Sequence, residues 1–152
     1  MFSFKALNIA LVLVYSIGSA IWVSTGDNWY RSLNQPSWQP PDWVFGVIWP
    51  YNFIVLAIVG WLIASRTDRS TNIVWSSLLA IGVVCALLWS RIFYVNHQIL
   101  LSTLFLLVVA ISAVILFILS VNKVGGLAFI LLPYVLWIST ATVLSYSYSR
   151  LN

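Results

Sequence analysis

The sequence predicts an all-α membrane protein, a single bundle of five transmembrane helices, and three observations carry that prediction. The first is composition. Of its residues 62% are apolar and 7% charged, with a mean hydropathy of +1.00, whereas a soluble domain is roughly 45–50% apolar and about 25% charged. The second is where the charges fall. Lys5, Asp27, Arg31, Asp42, Arg66, Asp68, Arg69, Arg91, Lys123 and Arg150 leave 6–26, 43–65, 70–90, 92–122 and 124–149 free of charge. Each stretch is long enough for a hydrocarbon core about 30 Å thick, which takes about 20 helical residues to cross. The third is the shortness of the later links, which forces neighbouring helices antiparallel. A soluble enzyme, a nucleic-acid binder and a disulfide scaffold are excluded together.

The spans are expected at about 5–25, 43–64, 72–94, 98–121 and 125–148, which together make residues 1–152 one domain. The first span begins like a signal peptide, with Lys5 before an apolar run, but the run continues through Val23 without a convincing cleavage site. Gly26–Asp42 is the longest link. Ser65–Thr71, Val95–His97 and Asn122–Lys123, before Gly125-Gly126, are short. Lys5, Arg66, Arg69 and Lys123 fall on one side against Arg31, Arg91 and Arg150 on the other, a narrow margin for a cytoplasmic N-terminus. Arg91 should lie near a membrane face or pair within the bundle, because a lone charge at mid-bilayer is costly. The cations are scattered singly, which fits snorkelling to headgroups and not a nucleic-acid surface. Cys85 is single and mid-span, so it makes no internal disulfide.

Nine tryptophans dominate the chemistry. Trp29, Trp43, Trp61 and Trp75 sit near span ends, where interfacial belts form. Trp49, Trp89 and Trp137 lie deeper, where an indole N–H needs a partner. Pro36, Pro40 and Pro41 hold the first loop extended, and Asp42 is placed to N-cap the second span. Phe45, Trp49 and Phe53 follow on one helical face. Such a loop feeding an aromatic stripe reads either as a lid over a pocket or as an interfacial anchor, and spacing alone does not choose. Asp27, Asp42 and Asp68 all lie at span ends, and Ser90 and Ser139 lack His–Asp partners, so no acid–base pair or triad assembles.

The motifs are specific. Trp29, Tyr30, Leu33, Pro36, Trp38, Pro40, Pro41, Trp43, Phe45 and Trp49 follow W-Y-x-x-L-x-x-P-x-W-x-P-P-x-W-x-F-x-x-x-W. Pro133, Tyr134, Trp137, Ala141 and Leu144 follow P-Y-x-x-W-x-x-x-A-x-x-L, and Trp89 with Phe93-Tyr94 resembles W-x-x-x-F-F. In these the chain resembles the TspO/MBR family, the tryptophan-rich sensory proteins also called translocator proteins or peripheral benzodiazepine receptors. It departs from the family at Pro50-Tyr51-Asn52-Phe53, and at Ala86 and Ser145, where the family carries amide side chains. Pro50 deprives the Gly46 carbonyl of its helical donor, and Asn52 is placed to compensate.

The resemblance implies a membrane receptor or carrier for flat hydrophobic ligands: tetrapyrroles such as protoporphyrin IX or haem, sterols, or aromatic drugs. It implies a ligand site of Phe45, Gly46, Ile48 and Trp49 in the second span, Trp89 and Phe93 in the third, and Trp137, Ala141 and Leu144 in the fifth. Trp38, Pro40 and Pro41 would close it, with Arg31 available to propionates. It also implies an alternative, light-dependent porphyrin degradation through Trp49 and Trp137, with no other catalytic residue. A third reading is a scaffold or regulatory subunit, in which the small residues Gly18-Ser19, Gly60 and Gly82 permit homodimer contacts as well as internal packing. Leu144, Tyr146 and Arg150 fit the L/V-x-Y-x-K/R pattern proposed for sterols, although a Tyr–Arg interfacial end is the plainer reading. His97 is a candidate axial ligand for haem iron, although a solvated turn histidine is plainer. No metal site and no required cofactor are expected; porphyrin or haem enters as a ligand, and the partners are that ligand and the bilayer.

Overall fold

A computed structural model describes residues 3–152, except for the side chains of residues 24–27, which lie outside the description. Its helices are α1 (Phe4–Ser32), α2 (Asp42–Arg66), α3 (Arg69–Tyr94), α4 (Ile99–Val124) and α5 (Leu132–Leu151), with a 3-10 segment, Gly125–Leu131, between the last two. Phe4–Val23, α2 and α3 are each long and apolar enough to cross a membrane, as is the run Ile99–Leu151 that joins α4 to α5. The chain is an integral, multi-pass, all-helical membrane protein.

Helix ends differ from the expected ones where charge was used to place them. α1 continues past residue 25 to Ser32, so the loop is Leu33–Pro41 and not Gly26–Asp42. A charged residue ends a lipid-facing stretch but does not end a helix, and the first proline is Pro36. Asp42 is not the cap of α2: Pro41 holds that place, its carbonyl accepting from the Val44 amide at 2.9 Å, and no side chain caps the helix. Asp42 is instead the first helical residue, where its charge still favours the positive end of the dipole. Asp68 is the effective cap, accepting from the Thr71 amide at 3.1 Å and the Thr71 hydroxyl at 2.6 Å. α4 stops at Gly125, whose φ of +67° suits glycine. α5 starts at Leu132 and carries Pro133 in its first turn, where no intrahelical donor is needed.

The core draws on all five helices, and a polar knot ties α1, α2 and α3 together. Asn8 donates to the Gly60 carbonyl of α2 at 3.0 Å and accepts from Ser76 of α3 at 2.8 Å. Trp75 is fully buried, and its indole donates to Ser120 of α4 at 2.9 Å. It is therefore a core residue and not part of the interfacial belt. An indole one and a half turns into a helix can face either way, and the Ser120 acceptor favours the inside. Trp61 and Trp43 are 50% and 70% exposed, and Lys5 lies over the Trp61 ring, 4.8 Å from its centre. That contact puts the start of α1 and the end of α2 at the same end of the bundle. Arg91 is exposed in the last turn of α3, near that helix end.

Gly18 and Gly60 are used inside the protomer. A Cβ on Gly18 would come within 2.6 Å of a Leu87 methyl, and one on Gly60 within 3.0 Å of the Trp75 ring. Gly82 is buried too. Asn52 is also fully buried, but neither its amide oxygen nor its nitrogen has a partner among the described residues. It does not compensate for Pro50.

Candidate ligand-binding cavity

A cavity of about 500 Å³ opens among α1, α2, α3 and α5 at the end of the bundle that carries the loop. That volume falls within the range of small-molecule sites, roughly 300–1,000 Å³. Its wall is built by helical repetition. α1 contributes Ser16, Ser19, Ala20 and Val23, spaced i, i+3, i+4 and i+7; α2 contributes Phe45, Trp49 and Phe53, spaced by four. α3 adds Trp89, Phe93 and Tyr94, and α5 adds Ala141, Leu144, Ser145 and Tyr148. The mouth is polar, with Tyr30, Arg31, Gln35 and Asp42.

The aromatic wall is cross-braced. Trp49 stacks on Phe53 at 5.9 Å and 25°, and Tyr15 meets Phe53 edge-on from behind at 5.1 Å. Trp137 lies outside the lining. It stands nearly perpendicular behind Phe45 at 5.1 Å and behind Trp49 at 6.4 Å, so it sets the angle of both rings. Such edge-to-face pairs are each worth about 0.5–1.5 kcal/mol beyond area burial. The expectation that deep indoles find partners fails at two positions: Trp89 Nε1 and Trp137 Nε1 are buried without one among the described residues.

The loop is fastened over this end by side chains. The Gln39 amide oxygen accepts from the Tyr148 hydroxyl and, at 3.3 Å, from that of Tyr30; both tyrosines belong to the cavity wall. Asn152 accepts from the Asn34 amide at 2.8 Å and donates to the Asn34 carbonyl at 3.1 Å. Trp29 stacks on His97 at 4.1 Å and 12°, bracing the end of α1 against the turn after α3. His97 itself is exposed at φ +58° and lies outside the cavity lining.

Of the residues singled out in sequence, the cavity brings together Phe45, Trp49, Trp89, Phe93, Ala141 and Leu144, with Arg31 at its mouth. Trp38, Pro40 and Pro41 stay in the loop outside the lining, and Trp38 is 45% exposed. Gly46 is exposed with open space beside it, and Ile48 packs toward the core. Leu144 points inward while Tyr146 and Arg150 are exposed, so the proposed sterol segment is split between faces. Tyr146 borders a shallow apolar groove between α4 and α5. Ala86 is buried outside the lining, and Ser145 shares a 2.7 Å hydrogen bond with Thr103. The lining residues missed were Ser16, Ser19, Ala20 and Val23 of α1 and Gln35 of the loop; Gln39, which fastens the loop, was missed too. The Ser16-Ser19-Ala20-Val23 spacing was the readable signal for the first group; nothing local marks Gln39.

The model of the TspO/MBR family matches residues 7–151. The chain belongs to the TspO/MBR family. Similar relatives include Protein CrtK of Rhodobacter capsulatus, 30% identical across 96% of this chain and 95% of that protein. Tryptophan-rich protein TspO of Bacillus cereus is 29% identical over the full length of both. The human Translocator protein is 26% identical across 90% of this chain and 82% of its own. As a TspO/MBR member the chain carries the first-loop motif on α1, the loop and α2, and those three elements also frame the cavity.

Proposed function

We propose that this protein is a membrane receptor or carrier for a flat, hydrophobic ligand with a polar edge, a tetrapyrrole first and a sterol second. The observation that supports this most is the composition of the cavity wall. Five Phe and Trp side chains, Phe45, Trp49, Phe53, Trp89 and Phe93, line a space whose mouth carries Arg31, Asp42 and Gln35. Ring faces of this kind stack on a macrocycle, and a guanidinium at the rim suits a carboxylate. The ligand's flat body would enter the aromatic part and its propionates would remain at the polar end.

The test is titration of intrinsic tryptophan fluorescence in nanodiscs with protoporphyrin IX, haem and a sterol. Saturable quenching by a porphyrin, abolished when Ala141→Phe fills the cavity, is the expected result. Quenching that never saturates, or that survives Ala141→Phe unchanged, would overturn the reading.

A further inference from the structure

Cations that stand singly along the sequence gather at the end of the bundle away from the cavity. Lys5, Arg66, Arg69 and Lys123 lie there against one acid, Asp68, whereas the cavity end counts Arg31, Arg91 and Arg150 against Asp27 and Asp42. The first end therefore carries an excess of three positive charges and the second an excess of one. Arg66 closes α2, Arg69 opens α3, and Lys123 lies in the last turn of α4. The Trp75–Ser120 bond sets the level of the last two. At 1.5 Å per residue, Arg69 lies about 9 Å and Lys123 about 4.5 Å beyond that bond, toward the same end. The Asp68 carboxyl, lowered chiefly by its Thr71 hydrogen bonds, also feels Lys123. Arg66 and Arg69 are separated only by Thr67 and Asp68, at most about 11 Å of chain. Arg66, Arg69 and Lys123 are all exposed, and neither arginine side chain makes a hydrogen bond or ion pair among the described residues.

This is the level of the lipid headgroups. Trp61, half exposed on α2, precedes Arg66 by little more than a turn, and the Lys5 ammonium lies over its ring. Trp and Lys side chains anchor helices at the membrane interface. On the face of α3 that carries Arg69 come Ile73 and Val84, each about half exposed, so an apolar strip runs from the charges into the bilayer. We infer that this end of the bundle is a docking surface for an acidic phospholipid, its phosphate held by Arg66, Arg69 and Lys123 and an acyl chain following Ile73 and Val84. Guanidinium forks match phosphate oxygens in pairs, and an ammonium adds a point charge. A headgroup with no cation of its own, such as phosphatidylglycerol, gains from all three charges. In phosphatidylcholine the choline opposes them. The surface shares no residue with the cavity lining, so the two readings stand or fall separately.

The test is competition between phosphatidylglycerol and phosphatidylcholine of identical chains for the full chain in detergent, with the ratio of bound lipids read by native mass spectrometry. Phosphatidylglycerol is expected to be favoured by about 5-fold for each cation engaged, and by less as ionic strength rises. Arg66→Gln with Arg69→Gln should remove two such factors, and either change alone should remove one. Arg91→Gln with Arg150→Gln, the same loss of charge at the other end, should leave the preference nearly intact. Equal uptake of the two lipids by the unaltered chain, or equal losses in the two double variants, would overturn the inference. Release of bound phosphatidylglycerol by inorganic phosphate, and not by chloride of matched ionic strength, would also overturn it, because the site would then belong to a soluble anion.

Discussion

Gly60 of α2 and Trp75 of α3 meet with no room for another carbon between them. A Cβ on Gly60 would lie 3.0 Å from two atoms of the Trp75 ring and 3.1 Å from the Asn8 Cβ. Neither neighbour can easily give way, since Trp75 is tied to Ser120 and Asn8 to both Gly60 and Ser76. Gly60→Ala should therefore cost about 1–3 kcal/mol, the usual penalty for overpacking. Gly82→Ala is the control, because its nearest contact would be an ordinary 3.9 Å. Thermal unfolding in one detergent should lower the midpoint for the first and barely move it for the second.

The Trp75–Ser120 bond joins α3 to α4 inside the bundle. Ser120→Ala leaves a buried indole donor orphaned, whereas Trp75→Phe with Ser120→Ala removes both partners. The single serine variant should lose about 1–3 kcal/mol. A double-mutant cycle should show the two changes to be non-additive. Strict additivity would mean that the bond contributes nothing to stability.

Asn152 pairs both backbone groups of Asn34, a loop residue. Asn152→Ala should release the Asn34 amide, so its hydrogen exchange should speed up by about tenfold, the equivalent of one net hydrogen bond of roughly 1.4 kcal/mol. Amides in the middle of α4 should exchange as before. Unchanged exchange at Asn34 would show that the loop is held by other contacts.

Trp49 is in the cavity wall and Trp137 stands behind it. Trp49→Ala should weaken porphyrin binding by about 1–3 kcal/mol, taking aromatic–base stacking as the guide, or about 5- to 150-fold in Kd. Trp137→Ala acts through the rings it supports, so its loss should shrink when Phe replaces Trp137. Full affinity in both alanine variants would place the ligand elsewhere.

The Asp68 carboxyl is held below its usual value of 3.8 by the hydrogen bonds from Thr71, the hydroxyl first and the amide second. A group with a depressed folded-state pKa stabilises the fold above its unfolded value, and that contribution is lost as pH falls through the folded value. The α3 cap should thus weaken only below about pH 4. Asp68→Asn should remove this acid-side dependence while keeping a capping oxygen, as read from unfolding midpoints between pH 6 and pH 3.

The lipid solvent, the helical class, the family motifs and most of the aromatic wall are legible in the residues alone. Hydropathy and helical spacing are local properties, and Phe45, Trp49 and Phe53 share a face whatever lies opposite. Tertiary structure alone decided which way each indole faces. Trp75 and Trp61 look alike as span-end tryptophans, yet one finds Ser120 forty-five positions away and is buried, while the other meets Lys5 and stays half exposed. It also decided that Trp137 supports the cavity wall from behind, and that Gln39 and Asn34 fasten the loop to α5. These outcomes depend on partners more than a hundred residues distant in the case of the loop. Pairings of that range follow from how the helices stack, because spacing fixes a side chain's azimuth on its own helix but not the neighbour that helix will meet.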